Sequence, residues 1–397
     1  MLAILREDHQ NHVEMRIVLS GIESNNKGAE LMLYAILQEI ERQYPGAEVY
    51  VPLYAIKQGL DYIHTKVHLK DKPYAWWKRK VVPKLHLTGI MRRMGLPYLM
   101  LTDSAAVRHA DYFIDASGFS FSDQWHPDEY RVKALKYMLS SYKRQGTKVI
   151  YLPQAFGPVK EENTQKLVSV LNSYADVIMP RESVSYDYLL NAHVYKTRMK
   201  LFTDFTSLVE GKCPEKYSHL AGCVCVIPNA RMIDKGVLTY EQYVQALTQI
   251  IREVKEEGKS VYILSHEIAS DDPLCEKLGE SLKGEIEVIT GLNAIEVKGL
   301  ISTSYLCITS RFHGAASALN SCVPCLASSW SHKYALLFAD YDQTDCILDL
   351  KDMDTTLSKI EEYISPAQNQ QIRQQLSRKV PLIKQKNREM WDLVWST

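Results

Sequence analysis

The sequence carries no excess charge of either sign. Its 397 residues hold 47 Lys and Arg against 47 Asp and Glu, so the formal net charge is zero. That balance excludes a strongly basic nucleic-acid binder and an acidic, solvating chain. No run approaches the roughly 18 apolar residues of a membrane span. Residues 1–14 lack the apolar core of a secretory signal. They are expected to be a disordered leader, or Met15 to be the working start. There is no GxGxxG turn, no Walker A loop and no GxSxG elbow, so neither a dinucleotide site nor a hydrolase nucleophile is indicated. No His, Asp and Glu cluster has metal-ligand spacing. The eight cysteines include one CxxC, Cys322 to Cys325, with no second pair at zinc spacing. Most others sit in apolar runs and read as buried, reduced thiols of a cytosolic protein.

What is present is an ordinary globular balance, 46% hydrophobic and 24% charged. At about 100–200 residues per domain, the length suggests two domains. Short β-branched runs at 16–20, 48–51, 112–115, 148–152 and 177–179 alternate with helical repeats. A second series follows at 223–227, 261–265, 287–289 and 305–309. Leu33, Ile36, Leu37 and Ile40 carry the helical period between the first two. Strands alternating with helices predict an α/β protein with parallel sheets covered on both faces. The polar stretch 210–218 is the expected boundary between two Rossmann-like units. Ser365-Pro366 reads as an N-cap followed by proline at N1 of a last helix, which Pro381 should kink. In such a pair of units, ligands sit beyond the carboxyl ends of the strands.

The residues after the strands therefore carry the chemistry. After the first comes Gly21…Asn25-Asn26-Lys27-Gly28-Ala29-Glu30, a tight turn in which Asn25 or Asn26 caps the next helix. Asp115-Ala116-Ser117-Gly118 is a small polar loop suited to close ligand approach. Pro153-Gln154 and Gly157-Pro158 form a rigid loop in which Gln154 can bond a polar ligand. Arg181 stands at a strand end, where a guanidinium matches carboxylate or phosphate. The sharpest segment is Ser310-Arg311-Phe312-His313-Gly314, a strand running into a helix whose first turn attracts anions together with Arg311. Lys333 follows one more strand. His266 and Glu267 either contact an acceptor or cap a helix, and Asp204 either bonds a sugar or caps a turn.

In this order, and with Lys333, these segments resemble the polysaccharide pyruvyltransferase family over about residues 16–345. The resemblance implies a GT-B-like fold with the active cleft between two Rossmann-like domains. It makes 15–209 the acceptor side, 219–350 the donor side and 351–397 C-terminal helices. It implies transfer of pyruvate from phosphoenolpyruvate to a sugar of a surface polysaccharide, such as an exopolysaccharide or capsule, or of a lipid-linked glycan precursor. The product is a cyclic ketal, and no cofactor is required beyond the donor. His313, Arg181 and Lys333 then form the catalytic set. Asn25, Gly28, Glu30, Ser117, Gly118, Gln154, Asp204, His266, Ser310, Arg311 and Gly314 form the substrate-binding set. Where many members have a glycine run, this chain has Ala116-Ser117-Gly118. The alternatives are a GT-B glycosyltransferase using an activated sugar and a non-catalytic glycan-binding relative.

Residues 72–93 hold seven Lys or Arg and no acid, with Trp76 and Trp77 among them. Aromatic and basic residues together suit an anionic membrane surface. This segment is the expected peripheral contact with the cytoplasmic membrane. The alternatives are a solvated insertion and a dimer contact, and the oligomeric state stays open.

Overall fold

A computed structural model describes residues 15–22, 26–51, 68–71, 110–329 and 333–397. The leader 1–14, Asn25 and the basic segment 72–93 lie outside the described residues. Strands β1 (Arg16–Ser20), β2 (Glu48–Val51), β3 (His68–Asp71), β4 (Tyr112–Asp115), β5 (Lys148–Gln154) and β6 (Val177–Pro180) form one sheet in the order β3-β2-β1-β4-β5-β6. Strands β7 (Val224–Ile227), β8 (Val261–Leu264), β9 (Glu287–Ile289), β10 (Leu306–Thr309), β11 (Cys325–Ser328) and β12 (Ile347–Leu348) form the other, in the order β12-β11-β10-β7-β8-β9. The pairings are parallel. Both sheets reverse direction between their first and fourth strands, which makes that point the natural crevice for a ligand. The architecture is the α/β, GT-B-like pair of Rossmann-like units that the sequence pattern and the resemblance predict.

The strands read as continuous apolar runs because helices cover both faces. Ile17, Val18 and Leu19 are all fully buried, as are Val224, Cys225 and Val226. Helices α1 (Lys27–Gln43), α2 (Ser183–Asn191), α3 (Ala294–Ser302), α4 (Phe312–Asn320), α5 (Lys333–Asp340) and α6 (Pro366–Ser396) frame the cleft or bridge the sheets. Asn26 caps α1 by accepting from Gly28 N at 2.9 Å. Ser365 caps α6, with Pro366 in its first turn, and the helix runs unbroken through Pro381. Its first half buries Ile372, Leu376, Val380 and Ile383 against the second core, and its end buries Met390, Trp391 and Val394 against the first. One helix thus clamps both units.

The polar stretch 210–218 is docked against the second unit. Lys212 N donates to Ile295 O at 3.0 Å. Gly211 and Gly299 meet backbone to backbone, leaving no room for a Cβ on either. Across the cleft floor, Lys27 N donates to His266 O at 3.1 Å, and Ala294 N donates to Glu30 Oε1 at 3.2 Å. All eight cysteines are free thiols and six are buried. Cys225, Cys307 and Cys325 stand in register on neighbouring strands. Among the described residues, no helix is long and apolar enough to cross a membrane.

Candidate active site

The cleft opens where both sheets present the carboxyl ends of their strands, with a volume of about 440 Å³. From the first unit come Gly21, Asn26, Met32, Ser117, Gly118, Ser120 and Arg181. From the second come Asn229, Arg231, His266, Arg311, Phe312, His313 and Lys333. The three residues of the expected catalytic set, Arg181, His313 and Lys333, thus line one cavity, although 132 and 20 residues separate them in sequence.

Arg181 follows β6, and its backbone N–H is spent on Gln154 O at 2.9 Å. Its side chain is 7% exposed. Among the described residues the guanidinium has no hydrogen-bond or ion-pair partner, and lies over the Phe312 ring with Cζ 4.3 Å from the centroid. Glu182, the next residue, turns away to cap α2 by accepting from Ser185 N. Burial pushes the guanidinium pKa down, and the charges of Asp204 and Glu182 oppose that. Lys333 Nζ stands 5.5 Å from the same Phe312 centroid. Burial, and then the like charges of Arg181 and Arg311, pull its pKa down to about 7. The Phe312 ring is therefore flanked by two cations in a desolvated wall.

Beside them, α4 begins at Phe312, with Arg311 as N-cap and no capping side chain. Among the described residues no side chain caps its first-turn amides, in contrast to the Asn26-capped α1. His313 stands in that first turn. On one side its ring packs on Gly28, where a Cβ would overlap the imidazole. On the other, Nε2 is 3.4 Å from Asp204 Oδ2. Asp204 also caps the short turn that follows it, accepting from Thr206 N at 3.0 Å. Burial pushes its carboxyl pKa up, but His313, the Thr206 hydroxyl and Arg181 together hold it below the usual carboxylate range.

Arg311 differs from the sequence reading. It lines the cleft, but its guanidinium is spent on its own unit. Nε donates to Asp271 Oδ2 at 2.7 Å, Nη2 to Asp271 Oδ1 at 2.5 Å, and Nη2 pairs with Glu267 Oε2 at 2.7 Å. Two carboxylates within reach neutralise it, so its pull on an external anion is weak. Glu267 thereby holds Arg311 rather than capping a helix, while His266 lines the cleft beside it. His266 is buried, its Nδ1 has no hydrogen-bond partner among the described residues, and its pKa lies well below the usual imidazole value because of burial, then Arg311 and His313.

Several expected contact residues shape the site from behind instead. Glu30 is fully buried and bonds Lys27 Nζ at 2.6 Å and Ala294 N, tying α1 to α3. Gln154 donates to Asp115 Oδ1 at 3.2 Å beneath the cleft. Ser310 ends the strand and bonds the hydroxyls of Tyr243 and Ser328, at 2.7 and 2.6 Å. Gly314 lets α4 approach β10 and β7, since a Cβ would meet Thr309 Oγ1 at 2.7 Å and Ile227 Cδ1 at 3.2 Å. Ser117 lines the cleft with its hydroxyl bonded to Asp115 Oδ2 at 3.0 Å. Gly118, at φ +70, keeps the loop in a left-handed turn. Phe312, Asn229 and Gly21 escaped the sequence reading. Phe312 sits inside the sharpest motif, whereas Gly21 is marked only by its place after β1, where a Cβ would overlap Ser117.

Cations and a helix N-terminus without a side-chain cap thus meet in the cleft between the two α/β units. The family model for polysaccharide pyruvyl transferases matches residues 26–332. The chain belongs to that family. It is 20% identical over 356 residues to the amylovoran biosynthesis protein AmsJ of Erwinia amylovora, covering 80% of this chain and 84% of that one. Among solved structures, Anabaena Alr3699/HepE in complex with UDP and glucose superposes with a TM-score of 0.56 at 13% identity, over 97% of this chain and 100% of that one. A putative UDP-N-acetylglucosamine 2-epimerase of Listeria monocytogenes superposes with a TM-score of 0.60 at 11% identity, over 96% of each chain. At these identities the two structures share the fold.

Proposed function

We propose that the protein transfers pyruvate from phosphoenolpyruvate to a sugar of a bacterial surface polysaccharide or its lipid-linked precursor, forming a cyclic ketal. The observation that carries this reading is the convergence of Arg181, Lys333 and the uncapped N-terminus of α4 around His313. Phosphoenolpyruvate brings a carboxylate and a phosphate of about −2 charge. A guanidinium without a protein partner suits one of these groups in bidentate fashion, and a lysine plus helix amides suits the other.

The balance of the reaction assigns work to His313. One sugar hydroxyl adds to the enol carbon while its proton, relayed by the imidazole, ends on the methylene carbon, which becomes a methyl. A second hydroxyl then bonds the same carbon as phosphate leaves with the C–O electron pair, and the second proton departs with the phosphate. Proton relay of this kind is worth about 10²–10⁴-fold. Ser117, Gly118 and Ser120, opposite the cations, supply neutral, small surroundings for the acceptor sugar. The lipid-linked acceptor and membrane contact through 72–93 belong to the same proposal. They are tested by co-sedimentation with anionic vesicles, which a variant with Lys78, Arg79 and Lys80 changed to Glu should lose.

A second reading, transfer or rearrangement of a nucleotide-activated sugar, draws on the fold shared with Alr3699/HepE, which was solved with UDP and glucose. Mass spectrometry of surface-glycan precursors after incubation with phosphoenolpyruvate decides between them. A gain of one pyruvate less one water supports ketal transfer. A gain of a hexose from a UDP-sugar, with none from phosphoenolpyruvate, overturns it.

A further inference from the structure

His313 is held on two faces that make its ring nitrogens unequal. Towards α1 it meets Gly28, whose missing Cβ leaves room for Nδ1. Towards the inter-unit connection, Nε2 stands 3.4 Å from Asp204 Oδ2, an ion-pair separation that falls short of an aligned hydrogen bond. Nε2 is buried, and among the described residues it has no hydrogen-bond partner and no other carboxylate beside it. Asp204 is itself fixed from three sides. Its Oδ1 accepts from Thr206 N and from the Thr206 hydroxyl. Its carbonyl oxygen accepts from Asn387 Nδ2 of α6 at 2.9 Å. Lys298 Nζ of α3 donates to Thr206 O at 2.9 Å and pins the same turn. Only Oδ2 remains, and it faces the imidazole. The carboxylate lies in the field of Arg181, Lys298 and Asp340, and His266 feels the charge of the imidazole.

We propose that Asp204 is the positioning residue of His313: its Oδ2 accepts the Nε2–H, fixes that tautomer and leaves Nδ1, on the Gly28 side, as the nitrogen that moves protons at the substrate. This deepens the pyruvyl-transfer reading and rests on it for the word substrate alone, because the tautomer is a property of the unliganded protein. It replaces a direct sugar contact by Asp204, since a carboxylate with both oxygens occupied inside the protein has little left for a ligand.

The test is the nitrogen NMR spectrum of protein labelled with ¹⁵N-histidine, with His313→Gln used to assign the His313 signals. The wild type should show the His313 ring proton on Nε2. Asp204→Asn can keep the Thr206 contact through its carbonyl while turning an amide N–H towards Nε2, so the proton should move to Nδ1. Turnover should then fall by up to about 10⁴, as expected when a histidine is held in the wrong tautomer, with the KM for phosphoenolpyruvate little changed. Asp204→Glu restores a carboxylate and should retain the Nε2–H form. A wild-type proton on Nδ1, or an Asp204→Asn variant with unchanged tautomer, overturns the proposal. If the tautomers behave as stated but no glycan gains pyruvate, the pyruvyl-transfer reading fails while the pairing stands.

Discussion

The two units wind their sheets in the same order, yet they face the cleft with opposite chemistry. After β1 and β4 the first unit offers Gly21, Ser117, Gly118 and Ser120, small and uncharged. After β7 and β10 the second offers Asn229, Arg231, Arg311 and His313. One scaffold thus builds a neutral wall and a charged wall, and the strand-end residues alone set the difference. Arg181 is the exception, a cation sent across from the neutral unit. It forms a second contrast with Arg311. Both are strand-end arginines, both are more than nine-tenths buried, and both stood out in the sequence. Arg311 is saturated by Asp271 and Glu267, whereas Arg181 rests on an aromatic face and, among the described residues, no carboxylate is bound to it. A buried charge without a partner is costly, and such a cost is retained where a ligand meets it.

That contrast can be broken or sharpened by substitution. The largest effect is expected at the residue proposed to relay protons: His313→Ala should lower kcat by about 10²–10⁴, and unchanged turnover would overturn that role. Next, Arg311→Met should destabilise the fold by about 3–5 kcal/mol, because it strands buried Asp271 without its partner. Urea unfolding reads that loss. The same change at Arg181 should leave the urea midpoint unchanged or raise it, since an unpartnered buried charge is removed. If both arginines respond alike, the distinction between structural and donor-binding arginine is wrong.

A further effect is on the pH dependence of stability. Burial holds Lys298 at about 7, opposed by Asp204, and Lys333 is also pulled down to about 7. An unfolded lysine titrates near 10.4. Between about pH 7 and pH 10 the unfolded chain therefore binds more protons than the native one, and stability should rise with pH across that window. Below it both states are charged and the penalty is present in full. Urea midpoints across the window should climb in the wild type and climb less in Lys298→Met.

Much of this was legible in the chain. Central strands are buried on both faces and so appear as unbroken apolar runs, which is why β1, β4, β7 and β10 could be placed. Strands β3 and β12 could not. Both are outer strands, as β6 and β9 are, but β3 reads His-Leu-Lys-Asp and β12 is two residues long, so no apolar run marks them. The strand-end cations were visible because topology gathers strand ends at one crevice. Which arginine was free was not visible, because Asp271 lies 40 residues before Arg311 and no local spacing joins them. The tie between Asp204 and His313 was hidden for the same reason. Asp204 read as either a sugar contact or a turn cap; it caps the turn, and its second oxygen finds its partner only once α4 folds back against the inter-unit connection.

The central claim is that the free guanidinium of Arg181 receives phosphoenolpyruvate. Calorimetric titration of phosphoenolpyruvate into the wild type and Arg181→Met tests it most directly. Binding should saturate in the wild type, vanish or weaken by about 10–100-fold in the variant, as loss of a charge-assisted hydrogen bond worth about 1.5–3 kcal/mol requires, and persist in the presence of UDP. Equal affinity in both proteins, or a wild type that binds UDP-sugars and not phosphoenolpyruvate, would contradict the account.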